Sequence, residues 1–265
     1  MSPSRVTPKF KSFAAALFLA VALVSCQWIQ SFTRPADKGL RDYESVAKTK
    51  PGTKEALVAA REGARVAFLD VKDYRKALFF YKYLVLYSDD EQERRDSQKH
   101  IAEIYFERLT DYDQSVVEYN RLLALPHGKK ENADYRMSIA KAYFYLNRFS
   151  QADAELDLVI RNDPVGPVLF DANLLRANIS LSTRKIDSAI EIFKALMEKF
   201  PQQAKDEHVG LSLAVCYEEK NDFKAARQVL NGIRDLYPRP DFIDLKIQRL
   251  QERESQQPGA AGLRK

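Results

Sequence analysis

"DFKAA", residues 222–226, is the last of five short segments that align without a gap, after "DYRKA" (73–77), "DYDQS" (111–115), "RFSQA" (148–152) and "KIDSA" (185–189). Their closing small residues, Ala77, Ser115, Ala152, Ala189 and Ala226, stand 38, 37, 37 and 37 positions apart. A period sustained within about 20–50 residues marks a stack of repeated supersecondary units. The surroundings repeat as well. Nine residues before each small residue stand Phe68, Phe106, Tyr143, Ser180 and Tyr217; four after it come Tyr81, Tyr119, Leu156, Phe193 and Leu230. Seven after it come Leu84, Leu122, Val159, Leu196 and Ile233.

Offsets of four and seven share one helical face, so the second half of each unit reads as an amphipathic helix. The small residue belongs where two helices approach most closely. At an axis separation of ~8–10 Å only a small side chain lets the backbones meet without overpacking. Pro126, Pro164, Pro201 and Pro238 close the last four units, each lacking a donor and clashing with the preceding turn. Short linkers such as "YLNR" and "EKND" leave room only for an antiparallel helix–turn–helix. Such a unit has no buried core until its neighbours stack on it.

The pattern resembles the tetratricopeptide repeat: an aromatic late in helix A, an Asp-aromatic turn, a small residue, an aromatic in helix B and a closing Pro. The resemblance covers roughly residues 54–238. It implies an all-α fold, a right-handed superhelical α-solenoid of about five helix–turn–helix repeats. "DFIDLKIQRLQERES" (241–255) reads as a C-terminal capping helix and the remainder as a disordered tail. The fourth unit departs most, with Ser180 in place of the aromatic and Ile186 in the turn.

The start of the chain has another logic. Arg5, Lys9 and Lys11 lead into "FAAALFLAVALV" (13–24), twelve apolar residues. That is too short to span a bilayer, which takes about 20 residues, and it matches the apolar core of a signal peptide. "LVSC" (23–26) resembles the bacterial lipoprotein signal. The resemblance implies cleavage after Ser25, a diacylglyceryl thioether on Cys26 and acylation of the new amino group. Gln27 after the lipid cysteine implies the outer membrane, and the periplasmic face is expected. The expected organisation is therefore a lipoprotein signal peptide over 1–25, a lipid-anchored flexible tether over 26–52, the repeat domain over 53–255 and a tail over 256–265.

Composition narrows the function. The full chain carries 42 basic and 37 acidic residues; without residues 1–25 it carries 39 and 37, which removes most of the excess. Lys and Arg interleave with Asp and Glu, as in "DDEQERRDSQKH" (89–100), the pattern of solvated helix faces and not of a basic nucleic-acid stripe. His100, His127 and His208 have no metal-ligand spacing, there is no Gly-rich phosphate loop, and with Cys26 lipidated Cys216 has no disulfide partner. No catalytic residues, metal, cofactor, nucleic acid or small-molecule substrate are expected.

The resemblance points instead to the concave groove lined by the A helices. There it places Met137, Lys141, Phe144, Leu174, Asn178, Leu211 and Val215 as candidates for protein binding. The Lys/Asn set that captures a C-terminal carboxylate in chaperone-binding relatives is missing. The apolar members suit an amphipathic helix or an extended segment, and equally suit packing between repeats. The expected function is a membrane-anchored interaction scaffold that assists assembly of an outer-membrane or envelope complex. In plan it is similar to the repeat lipoprotein of the β-barrel assembly machinery and to pilotin lipoproteins. A cell-wall synthesis adaptor and a non-catalytic subunit of an envelope enzyme are the alternatives.

Overall fold

The computed structural model describes residues 35–162 and 167–256. The signal peptide, Cys26, the tether up to residue 34, Pro164 and the tail from residue 257 lie outside the described residues. The chain divides into two compact units at Ile101/Ala102.

In the first unit α1 (Pro35–Thr49) packs on α2 (Lys54–Arg65), and α2 packs on α3 (Tyr74–Tyr87). Thr53 caps α2 by accepting the Ala56 N–H, and a π turn, Val66–Val71, continues it. Alanines at 56, 60, 64 and 67, with Gly63, give α2 a nearly bare face. A Cβ on Gly63 would stand 2.5 Å from the Phe80 ring of α3. That close approach is what lets Phe80 be fully buried.

Helix α1 corrects the expectation of a flexible tether up to residue 52. Leu40 and Ala47 are each 1% exposed, Lys76 of α3 reaches Glu44 at 3.8 Å, and the Lys48 ammonium lies 5.4 Å from the Phe79 ring centre. Pro35 and Gly39 suggest loop when read locally, but Pro35 opens the helix, where its missing N–H costs nothing. Leu40, Tyr43 and Ala47 form the apolar stripe that α2 covers.

Helix α4 (Glu91–Glu103) and its π turn Ile104–Arg108 run across the boundary into the second unit. There α5 (Tyr112–Leu123), α6 (Lys129–Tyr145), α7 (Phe149–Asn162), α8 (Leu169–Ser182) and α9 (Ile186–Lys199) follow. A short α10 (Pro201–Asp206), α11 (Val209–Glu219), α12 (Phe223–Ile233) and α13 (Pro240–Ser255) complete it. Successive helices pack as antiparallel pairs, α6 on α7, α8 on α9 and α11 on α12, and α13 covers α12. Pro201 closes α9 and also opens α10 at its first position.

All five repeat small residues, Ala77, Ser115, Ala152, Ala189 and Ala226, are fully buried. The residues four and seven positions later form the cores, with Leu156 and Val159 in one cluster, Phe193 and Leu196 in the next and Leu230 in the last. The chain is all-α over the described residues, built of helix–turn–helix repeats with a C-terminal capping helix.

Candidate functional site

The A helices of the second unit are α6, α8 and α11. Fifteen residues before the small residue of each repeat stand Met137, Leu174 and Leu211; eleven before it stand Lys141, Asn178 and Val215. The two positions are four apart, so each pair lies on one helical face.

The structure separates the two rows. Met137 is 4% exposed and sits in a core with Ala133, Ala140, Leu156 and Leu175. That corrects its assignment to an open groove: the next repeat's A helix covers it, as Ala172 and Leu175 in the same cluster show. Leu174 and Leu211 are half-buried and pack against the following clusters, and Phe144 is half-buried beside Phe149 at 5.8 Å between ring centres. The outer row is open. Lys141 and Val215 are exposed and Asn178 is half-exposed. This A-helix face is therefore polar and aliphatic along its outer row, with the larger apolar groups serving partly as packing.

Asn178 also matches a glycosylation sequon, but it lies within α8 and Ser180 is buried. Cys216 is fully buried, and burial pushes its thiol up to about 11, so it stays protonated at neutral pH.

The first unit holds a cavity that sequence alone did not indicate. It has a volume of about 510 Å³ between α2, α3 and α4 and is lined by Arg61, Phe68, Leu69, Tyr81, Asp96 and His100 among others. The His100 ring lies 4.8 Å from Tyr81 and 6.3 Å from Phe68, which makes it part of an aromatic floor. Arg61 closes one wall by a two-pronged pair with Glu93 at 2.6 and 2.9 Å, and Ser88 adds a hydroxyl at 2.5 Å. The Arg61 hydrogen bond holds the Glu93 carboxyl below its ordinary range against the opposing effect of burial. The signal was present in the basic "REGAR" and acidic "DDEQER" runs, but only the fold brings them together. Among the described residues no group of three or more His, Cys, Asp or Glu is placed to hold a metal ion.

Residues 180–248 match the model of the tetratricopeptide repeat family. The match covers 69 of the 265 residues. It spans the end of α8 through α13 and includes both Ala189 and Ala226. Solved tetratricopeptide-repeat proteins share the fold of the wider chain. One is YrrB, described as carrying an unusual peptide-binding site (TM-score 0.53, 14% identity, 78% of this chain and 97% of that one). Another is a repeat protein of Parabacteroides merdae (0.52, 16%, 82% and 81%). A third is a putative kinesin light chain of Podosopora anserina with nearly identical repeats (0.51, 17%, 73% and 96%). At these identities the likeness is one of fold. No curated protein sequence matches the chain.

Proposed function

We propose that this chain is a lipid-anchored protein-interaction scaffold on the periplasmic face of the outer membrane, holding partners during assembly of an envelope complex. The observation that carries this reading is the order of the sequence: a basic lead, an apolar run, "LVSC" ending at Cys26, then a body of tetratricopeptide-like repeats. One acyl chain attaches a protein only marginally, whereas two or more attach it stably, so Cys26 is an anchor and the repeats are its cargo. Partners bind along the A-helix rim as a helix or an extended segment, with Lys141, Asn178 and Val215 in contact and Phe144, Leu174 and Leu211 behind them. The peptide-binding site described for YrrB supports this use of the fold.

Growth with a labelled fatty acid is the test. The wild type takes the label and sediments with membranes; Cys26→Ala takes none and either leaves the membrane fraction or accumulates as uncleaved precursor. An unlabelled wild type removes the anchor and with it the envelope reading.

A further inference from the structure

The last repeat breaks its A helix. In the third repeat α6 runs unbroken for 17 residues, but in the fifth the equivalent stretch is divided into α10 and α11. The division falls at His208, which is left-handed at φ 52° and ψ 35°, a conformation costly for a residue with a Cβ. Beside the break lies a cavity of about 180 Å³ walled by Met197, Gly210, Ile233, Leu236 and Tyr237. Its rear is closed tightly, since a Cβ on Gly210 would stand 2.7 Å from Ile233. Small-molecule pockets begin near ~300 Å³, so this one suits a single large side chain.

The apolar surface continues outward. Leu236 is 54% exposed, Tyr237 stacks on Phe242 at 5.9 Å, and Phe242 and Leu245 of α13 face solvent at 36% and 44%. The outer face of a terminal helix in a repeat stack is normally polar, and an uncovered apolar strip marks a contact surface. Charges of both signs lie along it, but Asp235 and Asp244 are paired with Arg234 and Asp241 with Arg239. Lys205 and His208 complete the cavity wall, both exposed, and Lys246 lies 5.4 Å above the Phe242 ring. Among the described residues neither Lys205 nor Lys246 has a carboxylate partner.

We propose that this cavity and strip are a docking site for a partner segment in which one large apolar residue is flanked by acidic ones. The apolar residue fills the cavity, and its neighbours lie against Lys205 and Lys246. An anchor in a desolvated recess with a charged rim is the arrangement of an interaction hot spot. The site shares no residue with the A-helix rim at 141, 178 and 215, so it stands or falls separately from the groove.

The chain's three methionines make the test direct. With ¹³C-methyl-methionine in the full chain, Met197 reports from the cavity wall, and buried Met137 in a separate cluster is the control. The probes are acetyl-Glu-Phe-Glu-amide, acetyl-Lys-Phe-Lys-amide and acetyl-Glu-Ala-Glu-amide. The first should shift Met197 saturably and leave Met137 in place, binding about fivefold tighter than the second, the ratio that one partly exposed ion pair supplies. The third should do nothing. Lys205→Glu should reverse the preference between the two Phe peptides while Met137 stays at its native position. A still Met197, equal responses to the two Phe peptides or a response to the Ala peptide overturns the proposal. So does a Met197 shift produced by phosphatidylglycerol vesicles alone, which would make the strip a lipid contact.

Discussion

The backbone N–H of Asp222 donates to the Tyr217 carbonyl at 2.9 Å, and the Asp222 carboxylate accepts the N–H of Ala225 at 2.9 Å. One residue thus closes the A helix of its repeat and opens the B helix. The backbone half of this device recurs as Arg148 to Tyr143 and Lys185 to Ser180, both at 2.8 Å. The side-chain half recurs at Asp73 and Asp111, which accept from Lys76 and Gln114. Lys185 begins α9 with no side-chain cap. Lys185→Asp should therefore stabilise the protein and Asp222→Ala should destabilise it, each by about 1 kcal/mol. Thermal melts of the two variants read this directly; a Lys185→Asp protein that melts at or below the parent refutes the capping account.

Lys72, Thr110, Asn147, Arg184 and Asn221 are all left-handed, with φ from 51° to 60°. Each stands five residues before its repeat's small residue. Asn tolerates this conformation, whereas the branched Cβ of Thr110 opposes it. Thr110→Gly should stabilise the fold by about 1 kcal/mol, the relieved strain exceeding the entropy gained by the unfolded chain. Asn221→Gly should change little. The melting temperatures of the pair give the comparison, and a loss of stability in Thr110→Gly is the contrary result.

Gly63 and Phe80 leave no room for a methyl group. Gly63→Ala should cost about 1–3 kcal/mol through overpacking, as should Ala152→Leu at a fully buried repeat position. Gln151→Leu, one residue away on the exposed side, should stay within about 0.5 kcal/mol of the parent. Denaturant midpoints that fall equally in all three would reject the helix-pair packing.

Much of this fold was legible from spacing. The period located the five buried small residues and the turns before them, because each rests on a local constraint that any copy of the unit must meet, and the segment 241–255 marked the capping helix by its own pattern. What escaped depends on neighbours. The resemblance placed Met137 on the groove-lining face of its A helix, and only the structure shows that the next repeat covers it. Periodicity passed over α1 because Pro35 and Gly39 read as breakers, although Leu40 and Ala47 had the right spacing to pack. The break at His208 was hidden in a stretch of ordinary helix formers, and its consequence, a cavity beside Met197 and Tyr237, is a tertiary fact.

The Arg61–Glu93 pair gives a pH dependence with a definite sign. Glu93 is more acidic in the folded protein than in the unfolded chain, chiefly through the Arg61 hydrogen bond. Its contribution is fully present above the unfolded carboxyl pKa and is lost as pH falls through the folded one. Stability should therefore drop as pH is lowered below about 4 to 5, and Glu93→Gln should flatten that limb. Denaturant titrations across the range decide it; an unchanged acid limb in Glu93→Gln would assign the effect to other carboxylates.

The central claim, that the A-helix rim of an anchored scaffold holds partner proteins, is tested most directly by a photoreactive amino acid placed in living cells. It is introduced singly at Lys141, at Val215 and at Gln228, which is exposed on the B helix α12. The account predicts discrete protein adducts from 141 and 215, none from 228, and loss of the adduct at 215 when Lys141→Glu is added to an otherwise stable chain. Adducts of equal yield from all three positions, or from 228 alone, would contradict it.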